Sequence, residues 1–180
     1  MKTIYIERST GGGRDGGWSS GIDVDGVERI VVGTGPGSFA GIRSALAFAL
    51  GCAMGSGCEV LGLPSPCACA AQNLDEESEI AVVGDSRRGK AWIALFSGYS
   101  MQGDIFQVDM ADIQSAVPPQ YKVVSPDDGR IGAALGSAFG DRYLGQVEPT
   151  AEGLEKFAEK CPSALVADPL PVYLNPAVRP

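Results

Sequence analysis

Histidine is missing from all 180 residues of this chain. Mechanisms that rest on imidazole are thereby excluded: Ser-His-Asp and Cys-His hydrolysis, His-ligated zinc chemistry, His phosphorelays. Basic residues are scarce as well. Lys and Arg number 14 against 22 Asp and Glu, a net charge of −8. Such a surface repels the phosphates that drive nucleic-acid binding, so any link to RNA is expected to run through a partner. Cysteines are few and odd in number, at 52, 58, 67, 69 and 161, and no C-x-x-C occurs. That argues against a disulfide framework or a zinc ribbon, and for small apolar residues in a reducing compartment. Long apolar runs are lacking too. Residues 44–58, an uncharged stretch as long as any in the chain, fall short of a membrane span. Glu7 stands where a signal peptide needs apolar residues. The expected location is the cytoplasm, with no membrane partner.

Glycine is what the chain has in excess: 25 residues, about twice the usual share. Most of them precede residue 63, so the special backbone work is expected at that end. A content of 44% hydrophobic and 20% charged residues reads as soluble and globular. The length suits one domain or two small lobes, with about 69% of the unfolded surface buried by area scaling.

Residues 3–7 (TIYIE) alternate as a strand with Ile4 and Ile6 on one face. The patch GGGRDGGWSSG follows and reads as a loop or a degenerate hairpin. Residues 28–33 (ERIVVG) form a second strand, apolar enough to be central. After the turn GTGPGSF comes a helix from about 40 to 54, with Ser38 as its N-cap and Gly55 to Gly57 as its end. A third strand at 59–63 closes a strand–helix–strand unit, and a helix over 66–73 opens on proline. The polar run 75–79 marks the expected boundary between an N-terminal lobe, 1–78, and a C-terminal lobe, 79–180. Strands at 80–84 and 91–96 make a hairpin about the turn 85–90. Further strands are expected at 105–109 and 121–124, and a weak helix at 132–139. An amphipathic helix is expected at 150–161, with Ala151, Leu154, Phe157, Ala158 and Cys161 inward. The fold class is α/β, two lobes of mixed sheets with flanking helices.

A strand, a Gly-rich turn and a helix present backbone N–H groups, so Gly35, Gly37 and Ser38 are candidates for an anion or nucleotide loop. Arg43, one turn into the helix, could help hold an anion or a partner carboxylate. Two motifs fail on register. No Lys follows the glycines as a Walker A loop requires, and the spacing 33, 35, 37, 41 is not that of a dinucleotide fingerprint. A tight strand-to-helix turn explains the glycines equally well. The helix says more. At about 100° per residue, Ile42, Leu46, Ala49, Leu50 and Ala53 fall on one stripe, which is expected to face the core. The opposite side carries Ser44, Ala47, Phe48, Gly51 and Gly55, and it is not polar. A helix apolar all round is covered on both sides, and small residues four apart admit a second helix closely. A chain of this size has few layers to offer, so these five residues are read as a partner interface.

GTGPGSFAGIR, followed by an Ala-rich helix and the strand EVLGL, resembles the TsaB (YeaZ) family of threonylcarbamoyladenosine biosynthesis. Ala40 stands where Thr is usual and Ile42 where Leu is. Further segments agree in order across nearly the whole chain. IYIERST is similar to the family's opening strand, with Glu7 for Asp and Arg8 for Thr. VVGDSRRGKAW is similar to the Asp-Ala-Arg-x-Gly hairpin of the second lobe. PVYLNPAV is similar to the closing segment, with Asn175 for Arg. Between the opening strand and VVGTGPG the family carries a hairpin and a helix. Here only residues 11–26 fill that gap, so the chain resembles a member with a shortened N-terminal lobe.

The resemblance implies the actin/Hsp70-like (ASKHA) two-lobe fold. It also implies a non-catalytic role, as partner or scaffold of the paralogous enzyme TsaD, which modifies the tRNA adenosine beside the anticodon. The ATPase TsaE is the third component, a homodimer is one state open to the chain when alone, and tRNA is met only indirectly. No tightly bound cofactor and no metal site is expected; ATP or ADP with Mg²⁺ at the interface with TsaD is the cofactor such a complex would take. The alternative is an independent nucleotide-binding phosphotransferase or ATPase of the same fold. It would need carboxylates for Mg²⁺ between the lobes, and Glu7 and Asp85, at strand ends, are the candidates. Against it stand the readings of Glu7 as a solvated strand end and Asp85 as a hairpin-turn residue. A peptidase reading has neither His ligands nor a nucleophile–base pair, and Ser38 is explained as a helix cap. Arg87, Arg88 and Lys90 form the one tight basic cluster, read as a solvated hairpin tip.

Overall fold

The structure is a computed structural model that describes residues 1–10 and 23–174. In chain order its elements are β1 (Thr3–Ile6), β2 (Arg29–Gly33), α1 (Phe39–Ser56), β3 (Glu59–Leu63), α2 (Ser65–Ala71), β4 (Glu79–Asp85) and β5 (Lys90–Ser97). There follow β6 (Ser100–Met101), β7 (Phe106–Asp109), α3 (Ile113–Ala116), β8 (Lys122–Ser125), α4 (Ala133–Phe139), β9 (Tyr143–Gln146), α5 (Ala151–Lys160) and β10 (Val166–Ala167). The mixed α/β class and the expected strands and helices are present, with ends moved by a residue or two. The Gly-rich segment lies mostly outside the described residues, as does Asn175.

The chain divides into two compact units. One is built from Met1–Ala68 with Pro149–Tyr173, the other from Cys69–Glu148. These units do not coincide with lobes 1–78 and 79–180. The chain leaves the first unit at Ala68 and returns to it at Pro149, because α5 packs on β1 and β10 pairs with β3.

In the first unit the sheet order is β1-β2-β3-β10. The first three strands are parallel, with Ile4 beside Ile30 and Ile30 beside Val60, and β10 is antiparallel to β3. Alternation sends Ile4, Ile6, Ile30, Val32 and Val60 to one face, where Ile42, Ala45, Leu46 and Ala49 of α1 complete a core. Ser38 caps α1, accepting the Gly41 N–H at 3.2 Å. Gly57, in the left-handed conformation, ends the helix, its N–H reaching the Ala53 carbonyl at 2.8 Å. Thr150 caps α5 in the same way, through the Gly153 N–H at 3.0 Å. Leu154 and Phe157 of α5 are fully buried. Burial pushes the phenol of Tyr5 in β1 up, and Glu155 and Glu159 of α5 add to that.

One expectation about α1 is corrected. Leu50 was placed with the core, but half of it is exposed, at 50%. Ala45 takes the inward position instead, since the core stripe is centred on Ala49 and Leu50 lies at its margin.

In the second unit the strands run β6-β5-β4-β8-β9, with β7 also paired to β5. β4 and β5 form the expected antiparallel hairpin, and β8 runs parallel to β4. Ala81, Val83, Ile93 and Val123 meet Ile113, Leu135 and Phe139 in this unit's core. All five cysteines are free thiols; Cys58, Cys67 and Cys69 are buried.

Candidate functional site

The turn between β2 and α1 is filled from below by the end of β1. A side chain at Gly37 would collide with the Ser9 carbonyl, and one at Gly41 with the Arg8 carbonyl. Gly35, at a φ of 93°, follows a conformation that glycine adopts freely. Two backbone donors of the turn, those of Gly35 and Ser38, are engaged. Gly35 N–H donates to Ser65 Oγ at 3.0 Å, and Ser38 N–H donates to the Ser9 carbonyl at 2.5 Å. With the Gly41 N–H on the Ser38 hydroxyl, the start of α1 is tied to residues 8–9 and to α2. The candidates Gly35, Gly37 and Ser38 are thus brought together in one turn, with the Gly35 and Ser38 N–H groups used within the fold.

Glu7 belongs to the same assembly. Its Oε1 accepts the Ser9 N–H at 2.6 Å. Its Oε2 is buried, with no hydrogen-bond partner among the described residues. The carboxyl tip lies against Gly33, where any side chain would strike it. Burial pushes the Glu7 carboxyl above its ordinary range, and hydrogen bonds from Ser9 and Ser65 pull it part of the way back. The solvated strand end expected for Glu7 is therefore corrected: the longer arm folds under the turn. Ser9 and Ser65, both buried, are the partners that sequence reasoning missed. A serine between two prolines, just after a strand, was the available signal.

The outer face of α1 is uncovered by the described residues. Arg43, Ser44, Ala47, Leu50, Gly51, Met54 and Gly55 are exposed, Met54 at 90%. No heavy atom of the described residues comes within 4 Å of a Cβ placed on Gly51 or Gly55. α1 is 18 residues long with mean hydropathy 1.3, and only 22% of it is buried. In length and composition it matches a membrane-crossing helix, a test that core helices also pass. Phe48 departs from the interface set, since it is half-buried against the core under α1. Leu50 and Met54 join the face in its place. At the start of the helix the Arg43 guanidinium stands 4.9 Å over the Phe39 ring. Phe39 in turn lies 5.0 Å, centre to centre, from the Tyr173 ring.

Asp85 lies in the second unit and is used by its own hairpin. Its Oδ1 accepts the Arg87 N–H at 2.8 Å, and its Oδ2 pairs with Arg130 at 3.4 Å and Arg87 at 3.8 Å. Asp127 accepts the Asp85 N–H at 2.9 Å. Arg87 and Arg88 both adopt positive φ, 65° and 56°. Lys90 pairs with Asp109 at 3.0 Å, so the basic tip is partly neutralised rather than simply solvated. Among the described residues, no group of three or more His, Cys, Asp or Glu is arranged to hold a metal ion.

Residues 19–119, more than half of the chain, match the profile of the family described as TsaD: tRNA N6-adenosine threonylcarbamoyltransferase. This chain belongs to that family. Its membership ties the chain to threonylcarbamoyl modification of tRNA. Among solved structures it is similar to YeaZ from Pseudomonas aeruginosa, with a TM-score of 0.72 and 19% identity, over 97% of this chain and 100% of that one. A second structure is described as an uncharacterized protein with similarity to peptidase YEAZ from Pseudomonas aeruginosa. It gives a TM-score of 0.72 and 17% identity over the same shares, 97% and 100%. These likenesses establish the fold, the actin/Hsp70-like (ASKHA) arrangement of mixed sheets with flanking helices. No curated protein matches the chain in sequence. The threonylcarbamoyltransferase family and the actin-like fold thus agree with the resemblance carried by GTGPGSFAGIR.

Proposed function

We propose that this chain is a non-catalytic partner of the catalytic TsaD paralogue, and that it docks through the outer face of α1. The observation that carries the reading is the bare apolar face itself. Ala47, Gly51 and Gly55 stand four apart with open space over both glycines. That spacing allows a second helix to approach closely. A contiguous apolar patch on a chain of this family calls for a protein cover. The chain's lack of histidine and its charge of −8 support a role that leaves chemistry and most tRNA contact to the partner.

ATP or ADP with Mg²⁺ enters this proposal only at the interface with the paralogue. The fit at the GPGSF turn is poor: Gly35 and Ser38 already donate to Ser65 and Ser9, and Glu7 is folded beneath them. No step is routed through a nucleotide there. TsaE remains the third expected component, in a cytoplasmic assembly.

The test is the mass in solution, by light scattering, of this chain alone and with the TsaD-family enzyme of the same cell. A one-to-one complex lost in Ala47→Leu and Gly51→Leu, with circular dichroism unchanged, is the expected result. A chain that ignores the enzyme, or binds nucleotide tightly by itself, overturns the reading in favour of an independent nucleotide-dependent protein.

A further inference from the structure

Helix α1 carries a single charged residue in 18, Arg43. It shares the exposed face with Ala47, Leu50 and Met54, so whatever covers that face covers Arg43 too. No carboxylate of the described residues forms a salt bridge with it. Covering a guanidinium without an acceptor is strongly unfavourable, because the charge loses water and gains nothing. A purely apolar partner surface therefore does not fit this face.

The cation is also prearranged. Its guanidinium lies over Phe39 at 4.9 Å, and a stacked guanidinium keeps its in-plane N–H donors for a planar acceptor. Behind Phe39 stands Tyr173, at 5.0 Å and a 30° tilt. Tyr173 is placed by its neighbour, since Val172 N–H donates to the Thr34 carbonyl at 2.8 Å. Both rings are half-open, 42% exposed. Arginine with exposed aromatic rings beside a patch that excludes water is the composition that dominates binding energy in protein interfaces.

We infer that the Arg43–Phe39–Tyr173 stack is the anchor of the α1 interface and receives a carboxylate side chain of the docking paralogue, with the segment ending at Tyr173 part of the contact. This rests on the reading of α1 as the docking face. It adds the chemistry of the partner: an Asp or Glu set in an apolar surround. In water an exposed Arg–carboxylate pair contributes little. Enclosed by the rings and the partner surface, it fixes register and slows dissociation.

The experiment is calorimetric titration of this chain, wild type and variants, into the TsaD-family enzyme of the same cell at two salt concentrations. Arg43→Glu is expected to weaken binding about a hundredfold, because it sets two like charges in a desolvated contact. Arg43→Lys and Tyr173→Ala are each expected to cost about tenfold, the first through loss of the planar fork and the second through loss of the stacked ring. Replacing the responsible partner carboxylate with Lys should restore binding to Arg43→Glu. Circular dichroism should match wild type in all three. Arg43→Glu within twofold of wild type, while Gly51→Leu abolishes binding, overturns the anchor and leaves the docking face standing. An effect of Arg43→Glu on self-association or vesicle binding, with none on the enzyme, overturns it as well. A wild-type chain that does not bind overturns both readings.

Discussion

The two ends of α1 use glycine for opposite reasons. At the start, Gly37 and Gly41 are pressed against the carbonyls of Ser9 and Arg8, and no side chain fits. Further along, Gly51 and Gly55 have nothing near them among the described residues. The first pair serves the fold of this chain: it lets the end of β1 close under the turn. The second pair contributes nothing to that fold, since glycine inside a helix is worse than alanine by about 0.5–1 kcal/mol. Glycine at these positions only weakens the isolated chain, which accords with the proposal that the space above it is used. The contrast separates a structural turn from the face proposed for docking, within one element.

Four substitutions break or sharpen that contrast. The largest effect is expected from Gly41→Ala, which drives a methyl group into the Arg8 carbonyl. Overpacking against fixed backbone costs about 3 kcal/mol, a fall in melting temperature of about 10 °C for a chain of this size, read by thermal unfolding.

Next comes Glu7→Gln. Burial raises the Glu7 carboxyl above its unfolded range, so the folded state holds the proton more tightly. Stability from this group is present below the unfolded value and is lost as pH rises through the raised folded one. The amide variant, freed of that loss, should melt several degrees higher than wild type at pH 7. The difference should shrink toward pH 4, and a difference independent of pH would show that the carboxyl titrates alike in the folded and unfolded chain.

Ser38→Ala should cost about 1 kcal/mol through the lost cap, measured by urea denaturation. The smallest effect has the opposite sign. Gly51→Ala should stabilise the isolated chain by about 0.5–1 kcal/mol. A loss of stability there would mean that the face is covered within the chain itself.

Much of this architecture is legible in the residues. Alternation marks β1, the run of β-branched residues marks β2, and Ser38 and Gly57 bracket α1 with its caps. Thr150 and the periodic Leu154, Phe157 and Ala158 mark α5 in the same way. What periodicity cannot supply is which sheet a helix covers. Local pattern says that α5 is amphipathic; only tertiary packing joins it to β1, so the division at residue 78 did not emerge as a structural boundary. The inward or outward fate of Leu50 turns on about 20° of helix rotation, which a wheel drawn at an ideal angle leaves open. Glu7 is illegible for a different reason. A carboxylate at a strand end reads as solvated, and its burial depends on Gly33, Ser9 and Ser65 meeting in space. The spacing of Ala47, Gly51 and Gly55, by contrast, marks a second helix-packing face in the sequence, while whether the chain itself covers that face is not legible there.

The return of residues 149–173 to the first unit sets an order on synthesis. As the polypeptide emerges from the ribosome, Cys69–Glu148 forms one uninterrupted stretch that can complete its own core. The earlier-made strands β1, β2 and β3 must wait, with the side that Leu154 and Phe157 will seal still wet, until residues 149–173 have been translated. The unit begun before Cys69 is finished only after the one that Cys69–Glu148 builds. Ribosomal stalling after residue 148 would leave a finished middle and an unsealed beginning, the kind of species that chaperones hold and proteases clear.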